Sequence, residues 1–198
     1  ESGDVMAWLS NDAGTTWSDF TRVNDDPGSA REGLHGMASG PNGLLFCAWL
    51  DLRHGSTQIY GASSADNGRT WSDDRRIYAS PSGTVCECCH PSVAISSRGS
   101  VYVMWRNLLD GNRDMYVAKS GDNGQTFDPA EKIGIGSWKL NACPMDGGDL
   151  AVSASGSLST IWRREREVFT AELGELRERR LGQGVQPTVA ATDDGCYF

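Results

Sequence analysis

The octet Ser10-Asn11-Asp12-Ala13-Gly14-Thr15-Thr16-Trp17 returns as Ser64-Ala65-Asp66-Asn67-Gly68-Arg69-Thr70-Trp71 and again as Ser120-Gly121-Asp122-Asn123-Gly124-Gln125-Thr126-Phe127. The leading serines (10, 64 and 120) stand 54 and then 56 residues apart. A second ladder keeps step with the first: Gly43, Gly99 and Gly156 each sit six residues before Trp49, Trp105 and Trp162. Two independent ladders with one period define a structural repeat, and a repeat of this length means stacked supersecondary units.

Each period reads as four strands. The first is short and half-polar (36–39, 92–96, 149–153, 188–191), and the second is strongly apolar (44–50, 100–105, 158–162). The third alternates into the octet (58–63, 114–119), and the fourth is short, as in 76–79. Twenty-four glycines and seven tryptophans, with almost no stretch of helical periodicity, suit short strands joined by turns. Segment 163–181 is charged, but its apolar residues follow 3.6-residue spacing only loosely. It reads as a third strand, a turn at Gly174-Glu175 and a fourth strand, with the octet deleted. The expectation is an all-β propeller of four-stranded antiparallel blades. A half blade at 1–30 is followed by blades at 31–80, 81–136 and 137–184, and a further blade starts at 185–198. Part of a six-bladed ring is preferred over a closed four-bladed one. The chain begins at Glu1 and reads as a processed chain or a fragment.

The octet resembles the Asp-box, S-x-D-x-G-x-T-W, of bacterial neuraminidase repeats; Phe127 alone departs, replacing tryptophan with another ring. The resemblance implies a hairpin between the third and fourth strands of each blade. Asp12, Asp66 and Asp122 are then turn residues bonding backbone amides, glycine supplies positive φ, and the ring plugs the blade edge. Strands alternate direction, so the second-to-third loops and the fourth-to-first connections share the face opposite the boxes. That face collects Arg31, Glu32, His35, Asp51, Arg53, His54, Arg106, Arg113, Asp146 and Arg163.

Lys+Arg number 18 against 26 Asp+Glu, a net charge of −8, which argues against nucleic acid or an anionic membrane as partner. No apolar run approaches the ~20 residues of a membrane-spanning helix. Only Lys119, Lys132 and Lys139 are lysines, leaving 18 − 3 = 15 arginines. Their planar fork suits bidentate recognition of carboxylates. An arginine-lined face therefore points to an acidic sugar or glycan, with Arg31, Glu32, His35, Arg53, Arg106, Arg113, Asp146 and Arg163 as candidate ligand-binding residues.

The sialidase family that carries these boxes uses an arginine triad, an Asp acid/base and a Tyr nucleophile paired with a Glu. By resemblance, Arg31, Arg53, Arg106 and Arg163 are candidate triad members, and Asp51 or Asp114 the carboxylate. The family's Arg-Ile-Pro motif is absent, and Tyr60, Tyr102 and Tyr116 fall within strands, so no nucleophile is assigned. The leading function is a sialidase-like glycoside hydrolase. A non-catalytic glycan- or protein-binding propeller is the alternative, and a metal or redox role the third.

That third role rests on Cys86-Glu87-Cys88-Cys89-His90-Pro91 and, one period later, Cys143-Pro144-Met145-Asp146. The combination resembles a branch of secreted sialidase-like propellers with cysteine motifs. Three readings stand. One is a disulfide between the triplet and Cys143, implying an oxidising, extracytoplasmic setting. Another is a soft-metal site, copper(I) or zinc, with Met145 or His90 assisting. The third is covalent haem at Cys86, Cys89 and His90, against which count the extra thiol and Pro91. Apart from these no cofactor is expected. Cys47 and Cys196 fall in apolar strands and read as inert.

Overall fold

The computed structural model describes residues 2–174, 177–192 and 195–197; the side chains of Glu32 and Cys196, and Glu175 of the expected turn, lie outside the described residues. The chain is built from antiparallel strands, and among the described residues its one helical element is a single 3-10 turn at Pro41–Gly43. The strands are β1 (Ser2–Gly3), β2 (Met6–Ala7), β3 (Thr21–Arg22), β4 (Ala30–Ser39), β5 (Leu45–Asp51), β6 (Gln58–Ser64), β7 (Arg75–Tyr78), β8 (Ser92–Ile95), β9 (Val101–Arg106), β10 (Met115–Ser120) and β11 (Glu131–Lys132). They continue as β12 (Asp149–Val152), β13 (Leu158–Arg164), β14 (Glu167–Glu172), β15 (Arg179–Gln183), β16 (Ala190–Thr192) and β17 (Gly195–Tyr197). Three meanders result: β4-β5-β6-β7 with β1 added beside β4, β8-β9-β10-β11, and β12-β13-β14-β15; the hairpins β2-β3 and β16-β17 flank them.

Strands β5 and β9 are apolar throughout because both their faces are covered. Phe46, Ala48 and Leu50 meet Val101, Val103 and Trp105 between the first two sheets, while Cys47 and Trp49 turn the other way onto Val5 and Val23. In the same manner Tyr102 and Met104 face Leu158, Trp162 and Phe169 of the third sheet. Side chains alternate along a strand, so neighbouring residues serve two different interfaces. Each ladder tryptophan accordingly packs back on the preceding unit: Trp49 on the β2-β3 hairpin region, Trp105 on the first sheet, Trp162 on the second. Where a charged helix could have been read, Glu167–Glu172 and Arg179–Gln183 are instead the antiparallel strands β14 and β15, with Gly174 at φ 83° after the first.

The three octets adopt one hydrogen-bond pattern. Ser10, Ser64 and Ser120 donate through Oγ to Asp12, Asp66 and Asp122 at 2.7–2.8 Å. The same oxygens accept from the amides of Gly14, Gly68 and Gly124. Thr16, Thr70 and Thr126 donate to the carboxylates through both amide and hydroxyl. Ala13, Asn67 and Asn123 share positive φ with the glycine that follows, the two-residue left-handed turn that closes a twisted hairpin. The two ladders touch here. A Cβ on Gly43 would lie 2.9 Å from the Asn67 side chain, and one on Gly99 only 2.5 Å from that of Asn123. Gly156, whose sheet lacks an octet, faces open space.

The expected plugging by the octet ring holds in part. Phe127 packs on Phe46 across the sheet boundary at 5.6 Å, and Trp71 is half-buried. Trp17 is 62% exposed and folds over its own Gly14 instead.

Threonine hydroxyl and amide donors hold Asp12, Asp66 and Asp122 down at about 2, below the usual 3.8. With the folded value depressed, their contribution to stability is present above the unfolded value near 3.8. It is lost as pH falls through about 2. Melting temperature should therefore drop between pH 4 and 2, and a D66N/D122N variant should show a flatter slope over that window.

Candidate functional site

The first strands of successive units gather around a cavity of about 510 Å³. His35 and Met37 enter from β4, His90 and Ser92 from the start of β8, Asp146 and Asp149 from the approach to β12, and Gln186 and Thr188 from the approach to β16. The backbones there come close enough to exclude side chains at two points. A Cβ on Gly36 would lie 2.4 Å from the Pro91 carbonyl oxygen, and one on Gly147 only 2.1 Å from that of His90. His35 and His90 are exposed, and neither imidazole makes a hydrogen bond to protein among the described residues. No arginine lines the cavity among the described residues.

The arginines are placed elsewhere, in two groups. Arg106, 1% exposed, lies beneath the cavity and is spent on backbone: Nε donates to the Asp146 carbonyl (2.8 Å), Nη1 to that of Arg113 (2.7 Å) and Nη2 to that of Arg163 (3.0 Å). Arg163 pairs with the Asp146 carboxylate at 3.0 Å and donates to the Pro144 carbonyl. Both guanidinium groups lie 5.3 Å from the Trp138 ring. Asp146, itself 1% exposed, also accepts from the Gln186 amide at 2.9 Å. One carboxylate thus ties the second sheet, the third sheet and the approach to β16 together.

Arg53 forms the second group. Its guanidinium contacts Asp51 at 2.9 Å and Asp25 at 3.4 Å, reaches Asp74, and stacks on Tyr60 at 4.3 Å. Burial, with the Asp25 carboxyl beside it, pushes Asp74 up to about 6.

The expected convergence of Arg31, Arg53, Arg106 and Arg163 on one cavity is therefore not what the structure shows. Arg106 is engaged by three carbonyls, Arg163 by the Asp146 carboxylate and the Pro144 carbonyl, and Arg53 by the Asp51, Asp25 and Asp74 carboxylates, so all three are turned to partners within the protein. Arg31 sits in β4 opposite Ser2. Asp51 and Asp114, the candidate carboxylates, are occupied too. Asp51 accepts from Trp49 Nε1 and Arg53. Asp114 accepts from Ser137 Oγ and the Trp138 amide and pairs with Lys132. Glu32 lies outside the described side chains.

Two features escaped the sequence reading. Tyr60 belongs to strand β6, yet its hydroxyl reaches the β5-β6 loop and lies 2.8 Å from His54 Nε2. A strand assignment places only the Cα; Tyr60 is the third residue of β6, and its long side chain reaches the loop that precedes the strand. Trp138 is the other, a loop tryptophan outside the ladder.

The cysteines do converge. Cys88 and Cys143 form a disulfide with Cα atoms 6.2 Å apart, linking the loop before β8 to the loop before β12. Cys86 and Cys89 are free and buried, with their Sγ atoms 2.9 Å apart. Cys86 Sγ lies 3.7 Å from Cys88 Sγ and accepts from Arg113 Nη1 at 3.1 Å. The sulfurs of Cys86, Cys88 and Cys89 all fall within 4.8 Å, the one thiol cluster with metal-like spacing among the described residues. A macrocycle is poorly accommodated: Cys86 and Cys89 are 0% and 1% exposed, and neither borders a described cavity large enough for haem. Cys47 is buried and, with no polar partner, is pushed up to about 12 by burial alone.

Residues 1–162 match the BNR repeat-like domain. The chain belongs to this family. No curated protein matches it in sequence. Among solved structures it is similar to an alpha-L-arabinanase of Penicillium chrysogenum complexed with arabinobiose (TM-score 0.60, 16% identity, 94% of this chain and 58% of that one). It is also similar to the Hadza microbial sialidase Hz136 (0.57, 15%, 81% and 39%) and to the intramolecular trans-sialidase of Ruminococcus gnavus (0.55, 16%, 94% and 40%). At such identities the likeness is one of fold, a β-propeller. The chain spans between 39% and 58% of the length of these structures.

Proposed function

We propose that this BNR repeat-like protein is a glycan-binding propeller, with the sugar held in the axial cavity between His35, His90, Ser92 and Thr188. The observation that carries this reading is the pair of exposed, unengaged imidazoles facing a polar cavity of about 510 Å³. Imidazole and hydroxyl groups both donate and accept, which suits sugar hydroxyls, and cavities of this size hold one small ligand. Lectin and glycosidase folds among the structural neighbours, including an Aleuria aurantia lectin bound to a fucoside, support the same class of ligand.

The arginines locked onto Asp146 and Asp51 favour binding of neutral sugar hydroxyls over capture of an acidic sugar, and binding over hydrolysis by residues of this chain. The division into three sheets flanked by two hairpins supports the blade boundaries at 31–80, 81–136 and 137–184, within a ring larger than the chain itself. The Cys88–Cys143 bond supports an extracytoplasmic location.

A glycan array followed by calorimetry tests the reading. Binding to neutral glycans is expected, weakened by about tenfold or more in an H35A/H90A variant, the equivalent of ~1.4 kcal/mol. Fluorogenic sialosides should not be turned over. Turnover would replace this reading with the hydrolase one, and undiminished binding by the double variant would move the site away from the cavity.

A further inference from the structure

Three thiols in four residues, fed by a fourth from the adjoining sheet, are more than a single staple requires. The Cys88–Cys143 disulfide lies at the surface, with Cys143 exposed and Cys88 half-buried. Directly beneath it sit Cys86 and Cys89, buried and reduced, with sulfurs 2.9 Å apart. That separation is within about 0.9 Å of a disulfide bond of ~2.05 Å. It is too short for two thiolates on one tetrahedral zinc, which at ~2.3 Å from the metal stand about 3.8 Å apart. We propose that Cys86, Cys88, Cys89 and Cys143 form an intramolecular thiol–disulfide exchange site, in which the buried Cys86/Cys89 dithiol and the surface Cys88–Cys143 disulfide interconvert.

The exchange balances without an external oxidant. Cys86, as thiolate, attacks Cys88 Sγ across 3.7 Å; the Cys86–Cys88 bond forms, the Cys88–Cys143 bond breaks, and Cys143 leaves as a thiolate that takes a proton from water. Cys89 then loses its proton to water and attacks Cys86 Sγ across 2.9 Å, closing Cys86–Cys89 and releasing Cys88 as a thiolate, which is protonated in turn. Two electrons pass from the buried pair to the surface pair, and the proton given up by Cys89 together with one from water protonates Cys88 and Cys143.

The surroundings assign the roles. Sharing a proton with Cys89 and accepting from Arg113 Nη1 at 3.1 Å hold the Cys86 thiol well below its ordinary value, so Cys86 is the attacking sulfur. Cys89, the proton's other holder, is pushed up and attacks second. Cys47 shows the contrast: equally buried, but with no cation or thiol beside it, it takes no part. The exchange removes the covalent tie between the loops before β8 and β12 and frees Cys143, three residues before the Asp146 that anchors Arg163 and borders the cavity.

Disulfide mapping tests this. The protein is fully reduced, oxidised by two equivalents with oxidised dithiothreitol, quenched in acid, unfolded, alkylated with N-ethylmaleimide and digested for mass spectrometry. Both Cys88–Cys143 and Cys86–Cys89 linkages are expected, with their ratio constant over time. In a C143S variant Cys86–Cys89 should be the dominant linkage. An R113Q variant should reach the constant ratio more slowly, with its rate profile moved to higher pH. Finding Cys88–Cys143 alone in the wild-type protein, with Cys86 and Cys89 alkylated as free thiols, overturns the proposal. So does stoichiometric zinc or copper in protein purified without chelator, which would make the cluster a metal site.

Discussion

An R106M variant should lose about 3–5 kcal/mol of stability, a large part of the ~5–15 kcal/mol that holds a typical domain together. Arg106 is 1% exposed and its guanidinium donates to three carbonyls, those of Asp146, Arg113 and Arg163. Methionine fills much of the volume but leaves those carbonyls without a donor, and each unsatisfied buried group costs about 1–3 kcal/mol. Asp146, also 1% exposed, would keep only Arg163 as its cationic partner. Urea unfolding followed by tryptophan fluorescence measures the loss. The result separates two roles: a ligand-contacting arginine would leave the unfolding midpoint within about 0.5 kcal/mol of wild type while binding collapsed. Loss of stability together with an altered cavity is expected here, because Asp146 borders it.

That network also shows where sequence reading stops. The propeller fold is legible because its determinants are local and repeated: a left-handed turn needs glycine at Gly14, Gly68 and Gly124, and the serine, aspartate and threonine around it bond one another within four residues. The disulfide partner loops are legible for a similar reason, since the period places Cys143 beside the triplet. Which of three thiols takes Cys143 is not, because that depends on a loop conformation with no repeated counterpart. The arginines are least legible. Arg106 finds its partners 40 and 57 residues away, and Arg53 reaches back 28 residues to Asp25 and forward 21 to Asp74. Asp146 stands out in the sequence as a candidate ligand-binding residue, yet its role as an anchor emerges only when loops from three units meet. Tyr60 reads as a strand residue from the sequence, although its hydroxyl reaches the loop that holds His54.

A W105A variant should be destabilised by about 3–5 kcal/mol, whereas W17A should stay within about 0.5 kcal/mol of wild type. Both tryptophans belong to repeated ladders, so repetition alone predicts equal importance; burial predicts otherwise. Trp105 is 0% exposed, whereas Trp17 is 62% exposed. The Trp105 ring lies 4.9 Å from Tyr78 and 6.4 Å from Tyr116, and it shares a core cluster with Leu50, Ile59 and Val85. Truncation removes its apolar contact and leaves a cavity between the first and second sheets, where the backbone of two meanders resists collapse. A neighbouring consequence follows from register. Trp105 precedes Arg106 at the end of β9, and Met115↔Arg106 is the terminal pair with β10, so loosening the ring also loosens the arginine that gathers the three loops. The urea midpoint should fall with the slope unchanged if the sheets unfold together. A shallower slope with two resolved transitions would mean instead that the first sheet and its neighbours unfold independently, and that the tryptophan ladder does not couple them.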